Sequence, residues 1–562
     1  MVTLEDITSQ LTSQPVLYGG ALLTTLLIIR KLVASERQLP LPPGPKGLPV
    51  AGNVNDLPPP GPPEWQHWLK HKDLYGPISS ITVFGQTIIL IHDLDIAEEL
   101  LVRRANNYSS RPHMFFAAEM CGFGHVVTFQ DYNRNFKQQR KLAAVQIGSN
   151  SAIKKVHPLI TLHARRFLLR TMNSPDTYVK NLHAGSSSIV LDMLYGYIPN
   201  LNTATDPLVH LVDRMMIVFS ETTAAGVWMV DNIPWLRHFP EWLPGMEFKS
   251  LARGYHKIIN DVTNIPYQFA ALQRSKGQNR PSYVSGLLDR HDKKVLDEEA
   301  SSWELKLIKD SAISMYGGGS DTTVAGLSFF FRSMILNPEV QKKAQEEIDR
   351  VIGNDRLPTF EDRASLPYIE AVFKEALRFD PIVPAGVPHT VDVNDEFAGY
   401  RIPKGAIVVP SIQWFSRDPK TYAQPDLFRP ERFLTPEQKS AIGFNPGKLG
   451  LRAGAELSPK KWVFGFGRRI CPGQQLADAS TWLTIALTLA VFDIKKPVDP
   501  ATGLEVEPEV SSTAGTVSHP APFQCSFVAR SEKAKQLILA IDKEQPYEDK
   551  GDASIVNELM GH

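Results

Sequence analysis

One cysteine constrains this chain more than any other residue. Cys471 lies in the stretch Phe464-Gly-Phe-Gly-Arg-Arg-Ile-Cys-Pro-Gly473, with Gly467 four residues before it and Gly473 two after. Pro472 stands where a helix would begin. The residues that follow, QQLADASTWLTIALTLAVF, are apolar nearly all round. Such a helix has to be buried on every side, which forces the loop into the interior of a large body. At a helix N-terminus a thiolate is favoured by the exposed N–H groups and the helix dipole. Gly467 permits a tight turn, and Gly473 lets the backbone approach something flat and bulky. Cys121 and Cys525 lack such neighbours and read as small buried residues.

The chain can surround such a helix. It has 562 residues, 43% of them hydrophobic and 21% charged, which excludes a disordered tether. Its 60 Lys and Arg balance 60 Asp and Glu, so it lacks the surplus positive charge that non-specific nucleic-acid binding requires. Three cysteines are too few for a disulfide scaffold and fit a reducing compartment. Length alone gives three or four domains at the usual ~150 residues each. No internal repeat and no second linker divides the chain after residue 63, however, and helical spacing dominates. Ile78–Ile91 reads as a hairpin turning near Gly85-Gln86. Asn337-Pro338 opens a helix, with Asn as cap and Pro at the first position, running to Gly353. Strands are expected near Ala406–Ser411 and Phe523–Arg530. The fold class is therefore mainly α with small β-sheets, in one large body.

The ends read differently. Val16–Ile29 is apolar and Arg30-Lys31 follow at once; counted from Leu11, the stretch approaches the ~20 residues that span a bilayer. Charge after the apolar run, rather than before it, places the remainder on the cytoplasmic side. Ten prolines between Pro40 and Pro63 make an extended, semi-rigid spacer. The expected division is a membrane anchor over 1–34, a proline-rich hinge over 35–63, one folded domain over 64–541 and a loosely held polar tail over 542–562.

A second informative stretch is Met315-Tyr-Gly-Gly-Gly-Ser-Asp-Thr-Thr323, inside a helical pattern from about Leu305 to Leu336. Three successive glycines cost a helix about 1 kcal/mol each relative to alanine. A turn weakened in this way can free a carbonyl near Gly318 and open a groove for a small ligand; a kink or a close helix packing is the structural alternative. No Gly-Lys-Ser/Thr follows, so the stretch is not a phosphate loop. Glu375 and Arg378 share one helix face, a spacing at which opposite charges pair.

These residues together resemble the cytochrome P-450 family. The family's haem loop, Phe-x-x-Gly-x-Arg-x-Cys-x-Gly, is filled by Phe464, Gly467, Arg469, Cys471 and Gly473. Its oxygen-helix pattern is filled by Gly318, Gly319, Asp321 and Thr322. Its Glu-x-x-Arg pair and the later arginine are Glu375, Arg378 and Arg432, the last within Pro430-Glu-Arg-Phe433. Trp-x-x-x-Arg occurs as Phe136-Lys-Gln-Gln-Arg140, with phenylalanine replacing tryptophan. The resemblance implies haem b held by Cys471 as axial thiolate, which favours O–O cleavage. Phe464 would shield the sulfur. Arg469, Arg140 and His389 would meet the haem propionates. Gly318 and Gly319 would form the oxygen groove, and Asp321 and Thr322 the acid–alcohol pair that relays protons. Glu375, Arg378 and Arg432 would serve folding and haem retention.

The implied protein is a membrane-anchored haem-thiolate monooxygenase of the endoplasmic reticulum, similar to fungal microsomal members of secondary metabolism. No flavin or nicotinamide domain fits beside the haem domain. Electrons are therefore expected from an NADPH-dependent reductase, with cytochrome b5 as a further donor. Arg134, Lys137, Lys141, Lys460, Lys461 and Arg468 would form the face that attracts such partners. By family position the pocket is lined by Phe115, Phe116, Met120, Ser314, Met315, Val383–Val387, Thr516 and Val517, which suits a terpenoid, polyketide or indole-like substrate. A haem isomerase or dehydratase, or a haem-binding sensor, is the alternative; the presence of Thr322 argues for oxygen activation.

Overall fold

The computed structural model describes residues 39–59, 61–200, 206–224, 226–545 and 551–561. The apolar run at 16–29 lies outside them. No helix among the described residues is long and apolar enough to cross a membrane.

Helices dominate. The long ones are α1 (Glu64–Tyr75), α2 (Arg134–Ile147), α3 (Asn150–Asn173), α4 (Tyr178–Tyr195), α5 (Pro207–Thr222), α6 (Phe248–Ser275), α7 (Glu298–Leu336), α8 (Pro338–Val351), α9 (Pro367–Phe379), α10 (Gln474–Val491), α11 (Glu532–Glu544) and α12 (Ala553–Met560). The apolar helix after the cysteine is α10. Trp482, Leu483, Ile485, Ala486, Leu487 and Leu489 are all fully buried, because α3, α7, α8 and α9 enclose it. The 39-residue α7 crosses the body and packs on α2, α4, α5, α6, α9 and α10. It starts at Glu298, earlier than the sequence pattern suggests, because the Asp297 side chain accepts from the Ala300 N–H at 2.7 Å. Asn337 is the N-cap of α8, as expected, and its carbonyl accepts from the Val340 N–H, but its side-chain amide donates back to the Ser333 carbonyl of α7 instead of capping α8.

Strands β1 (Ile78–Val83) and β2 (Gln86–Ile91) form the expected hairpin, with Val83 opposite Gln86. The turn is Phe84-Gly85, one residue earlier than read, and both residues have positive φ as a two-residue hairpin turn requires. The four-stranded sheet runs β1-β2-β6-β3, where β3 is His389–Thr390 and β6 is Ile407–Pro410. Two small antiparallel pairs complete the β-structure: β4 (Asp395–Phe397) with β5 (Tyr400–Ile402), and β7 (Phe492–Lys495) with β8 (Ser526–Ala529).

The two ends depart from expectation. The proline segment is bound to the sheet: the Ser80 N–H and hydroxyl donate to the Pro43 and Pro42 carbonyls, and the Asn53 side chain accepts from the Thr82 N–H at 2.9 Å. Lacking N–H groups, these prolines still offer carbonyls, and β1 presents a free edge to receive them. The C-terminal segment is also docked. Helix α12 buries Val556 against α5 and α6. Asp552 accepts from the Ile198 N–H at 2.8 Å and pairs with Arg280 at 2.7 Å. Polar composition hid an amphipathic turn with an acidic anchor. Asp552→Ala should therefore lower stability by about 1–3 kcal/mol, since it removes the acceptor of the half-buried Ile198 N–H and the carboxylate that faces Arg280. The drop will register in the urea midpoint, together with early proteolysis of residues 551–561.

Candidate active site

The loop that carries Cys471 is held by its own backbone. The Cys471 N–H donates to the Phe464 carbonyl at 2.7 Å. Gly467 has φ +51°, and a Cβ there would collide with the Leu101 carbonyl, so no other residue fits. Burial pushes the Cys471 thiol up, while the N–H groups of Gly473 and Gln474 and the nearby Arg140 act in the opposite direction. Gly473 directly precedes α10. Cys471 is surrounded by the fold and yet has an accessible surface, at the N-terminus of α10, where a bound cation would stabilise its anion.

Across the core, α7 runs unbroken through its glycines. The three are not equivalent. A Cβ on Gly317 would strike Met215 of α5, and one on Gly319 would meet the Val190 Cγ2 of α4 at 2.8 Å. Around Gly318 a Cβ would meet nothing within 4 Å. Gly319 therefore serves close helix packing, and Gly318 alone opens a groove. The Thr322 hydroxyl donates to the Gly318 carbonyl at 2.8 Å, so that carbonyl stays engaged. Asp321 is buried and accepts from His519 Nε2 at 3.1 Å.

A cationic cluster lies beside the loop. Arg469 donates to the carbonyls of Ser109, Val127 and Gln130, and its guanidinium lies 3.9 Å from the centre of the Phe136 ring. Phenylalanine at 136 thus supplies a stacking face where tryptophan would have added an N–H. Burial brings the Arg469 pKa down to about 10 and lowers that of Arg140. His389 is buried with Nδ1 2.6 Å from the Tyr108 carbonyl; burial and Arg111 hold its pKa well below 6.5. Arg111 was missed in the sequence. It donates to the Val387 and Pro388 carbonyls, its Nε has no partner, and burial and Arg469 depress its pKa. Among the described residues none of Arg111, Arg140, Arg469 and His389 has a carboxylate within ion-pair distance. Buried cations without anions require a counter-charge from elsewhere. A flat dianionic group bound beside the Cys471 loop would meet that requirement, and haem is such a group.

Glu375, Arg378 and Arg432 come together with no solvent exposure. Glu375 pairs with Arg378 at 2.7 Å and with Arg432 at 3.1 Å, and Arg432 also pairs with Glu456 at 2.8 Å. Burial acts to raise the Glu375 pKa, but the two arginines and the Arg429 N–H outweigh it and hold the carboxyl below its usual range. Glu456 belongs to no motif, so only the fold reveals it.

The expected pocket residues separate. Phe115 is half-buried at the edge of the core, its ring against exposed His113 and beneath Arg237. Phe116 is buried in a stack on Trp228, ring centres 3.6 Å apart. The Ser314 hydroxyl is tied to the Asp310 carbonyl and accepts from the Val127 N–H. Met315 and Val517 are buried, while Met120, Val383 and Val387 are half-buried. Thr516 meets the Thr223 hydroxyl at 3.0 Å. An aromatic trio unseen in the sequence, Phe123, Phe129 and Phe219, has centroids 5.3 to 5.9 Å apart. Of the basic residues, Arg134, Lys137, Lys141, Lys461 and Arg468 are exposed, and Lys137 and Arg468 share the Tyr132 ring. Lys460 is neutralised by Glu370 and Asp478.

A mainly helical body with a cysteine loop at a buried helix N-terminus, facing a glycine-bearing helix, defines a haem-thiolate protein. The cytochrome P-450 family description matches residues 42–527, and the chain belongs to that family. It is 44% identical over 503 residues to the cytochrome P-450 monooxygenase claR of Ampulloclitocybe clavipes, covering 89% of each chain. To the cytochrome P-450 monooxygenase ppsD of Aspergillus oryzae it is 42% identical, over 95% of this chain and 96% of the relative. To the O-methylsterigmatocystin oxidoreductase of Aspergillus flavus it is 36% identical, over 97% and 98%. The chain is a monooxygenase of the fungal secondary-metabolism type, with haem b as cofactor, using dioxygen, a small-molecule substrate and a redox partner.

Two substitutions test the site's physics. Gly319→Ala should cost about 1–3 kcal/mol by overpacking Val190, whereas Gly318→Ala, with open space around its Cβ, should raise stability by about 0.5–1 kcal/mol through helix propensity and move the denaturant midpoint up. Glu375→Gln should cost about 3–5 kcal/mol by leaving buried Arg378 without a carboxylate and Arg432 with Glu456 alone. Because the folded Glu375 pKa is depressed, its contribution is present above the unfolded value of about 4.5 and is lost as pH falls through the lower folded value. Unfolding curves between pH 3 and 7 should show that acid-limb loss in the wild type and not in Glu375→Gln.

Proposed function

We propose that the chain is a membrane-anchored monooxygenase that hydroxylates an apolar small molecule in a fungal secondary-metabolite pathway, with Cys471 as the haem ligand. The observation that carries this reading is the set of guanidinium groups around the Cys471 loop, Arg111, Arg140 and Arg469, with no protein carboxylate in ion-pair distance among the described residues, and the uncharged donor His389 beside them. Arg111, Arg469, Arg140 and His389 would bind the two haem carboxylates, and Phe464 would cover the sulfur. When bound, the haem supplies dioxygen activation and transfer of one oxygen atom to a C–H bond, the other leaving as water. The chain's own residues do the rest. Gly318 leaves room on the distal side, the Thr322 hydroxyl is the proton donor nearest that space, and buried Asp321 re-supplies it.

The substrate class is terpenoid, polyketide or indole-like. Phe123, Phe129 and Phe219, with Met315, Thr516 and Val517, favour a broad apolar scaffold over a charged one. Residues 1–34 would anchor the chain and 35–63 set the folded domain beside the bilayer of the endoplasmic reticulum. Exposed Trp235 and Trp242, at 59% and 80%, with Val227 and Met229, give a second apolar contact suited to an interface. An NADPH-dependent reductase, with cytochrome b5 as a second donor, would dock on Arg134, Lys137, Lys141, Lys461 and Arg468.

Cys471→Ala should abolish the thiolate-type carbon monoxide difference band; its persistence would overturn the assignment. Asp321→Asn and Thr322→Ala should each lower product formation by about 100-fold or more. Reversing Lys137 and Arg468 together should slow reduction by the reductase and weaken its dependence on ionic strength, with haem content unchanged.

A further inference from the structure

A hairpin near the C-terminus is attached to α7 at two points on one face. Asp321 and Arg332 are about three helical turns apart and therefore lie in line along the helix. Arg332 donates to the Val510 and Ser511 carbonyls at 3.1 and 2.7 Å. Asp321 takes His519 Nε2 at 3.1 Å. Between these attachments the hairpin closes on itself. The Thr513 N–H donates to the His519 carbonyl, the His519 N–H donates to the Thr513 hydroxyl at 2.9 Å, and the Ala521 N–H donates to the Ser511 carbonyl. The His519 backbone is therefore fixed, and its side chain has a defined reach.

The tip of the same hairpin meets the pocket side. Thr516 bonds the Thr223 hydroxyl just beyond the end of α5, and Gly515 lies against Ser220. Its flank is joined to the Ile382 carbonyl through the Ser518 N–H at 2.8 Å. One short segment thus carries pocket residues Thr516 and Val517 and the partner of the buried acid. Burial differs across the pair: the His519 side chain is 30% exposed and that of Asp321 11%. The other ionisable groups toward Asp321 are His183 of α4, whose charged form it favours, and Asp213 of α5, 3.2 Å from His183.

Resting on the reading of Asp321 and Thr322 given above, we propose that His519 is a positioning residue for Asp321 and the solvent-side end of its proton path. The His519 imidazole holds the Asp321 carboxylate through Nε2. Solvent protonates the imidazole at its exposed edge, Nε2 passes its proton to the Asp321 carboxylate, and the carboxylic acid so formed gives that proton toward Thr322, which leaves imidazole and carboxylate as they began. One solvent proton moves inward per turn of this relay and no group is consumed.

The experiment uses the full-length membrane-bound holoenzyme with its reductase and compares His519→Phe, His519→Gln, Asp321→Asn and the double variant His519→Phe/Asp321→Asn. Three quantities are read: the share of NADPH electrons released as hydrogen peroxide, the solvent deuterium effect on product formation, and the infrared stretch of carbon monoxide bound to the ferrous enzyme. In His519→Phe the ratio of peroxide to product should rise about 10-fold or more, and the carbon monoxide stretch should shift in the same direction as in Asp321→Asn. His519→Gln, which keeps a donor but cannot carry a proton, should restore the stretch and not the coupling. The double variant should be no worse than Asp321→Asn alone, as expected of two residues on one path. Coupling in His519→Phe equal to wild type, or additive losses in the double variant, overturns the proposal and leaves the function intact. Wild-type coupling in Asp321→Asn instead overturns the reading of the acid itself. Should His519→Phe lose haem, His519→Gln decides alone: wild-type coupling there overturns the proposal, and raised peroxide with an unshifted stretch supports it.

Discussion

Glu375 is the fixed point of the cysteine side of the molecule. Its carboxylate takes Arg378 from its own helix and Arg432 and the Arg429 N–H from a segment more than fifty residues later. Arg378 then gathers the carbonyls of Ser416, Pro425 and Leu427, and Arg432 those of Ala423, Gln424 and Leu427. An irregular stretch of chain, with no ladder to satisfy its carbonyls, is organised by two guanidinium groups. The order passes onward: the Trp462 indole donates to the Ser416 hydroxyl, and Trp462 leads into the cysteine loop. Glu456 balances the second arginine, which is why two buried cations are tolerated.

The cluster at Arg111, Arg140, Arg469 and His389 follows the opposite logic. Here three guanidinium groups stand without an acid beside a histidine that burial keeps uncharged, and burial lowers every pKa among the four. Backbone carbonyls satisfy part of their hydrogen-bonding capacity and none of their charge. An apo-protein carrying such a cluster has stored an unfavourable field that a dianion relieves, so binding and folding are thermodynamically linked here. The two clusters divide the labour: one holds the loop whether or not a cofactor is present, and the other is complementary only to a bound one.

Motif spacing made much of this legible. The cysteine loop, the acid–alcohol pair and the Glu–Arg pair are local patterns, and each stands on the expected loop or helix. Residues whose significance is purely tertiary were not legible. Arg111, Glu456 and His519 have ordinary sequence neighbours and acquire partners from 24 to 276 positions away. Phe115 and Phe116 lie in a short irregular helical turn, where a side chain's direction follows its neighbours, here Trp228 and Arg237, and not the sequence pattern. The docked ends escaped because composition reports hydration and not the few anchoring bonds that decide docking.

The three glycines of α7 show how one feature can serve two ends. Gly317 and Gly319 let α5 and α4 approach, and that approach brings the Ser186 hydroxyl to the Gly319 carbonyl at 2.9 Å. With α7 clamped on both flanks, the helix remains regular although it contains three poor helix formers. Regularity matters because Gly318, Asp321, Thr322 and Arg332 are placed by helical phase alone. Had the glycines broken the helix, the open face at Gly318 would not keep step with the hydroxyl one turn later, nor Asp321 with the arginine that holds the hairpin. Close packing of the helix thus sets the geometry of the chemistry, and the groove is the one glycine the neighbours leave uncovered.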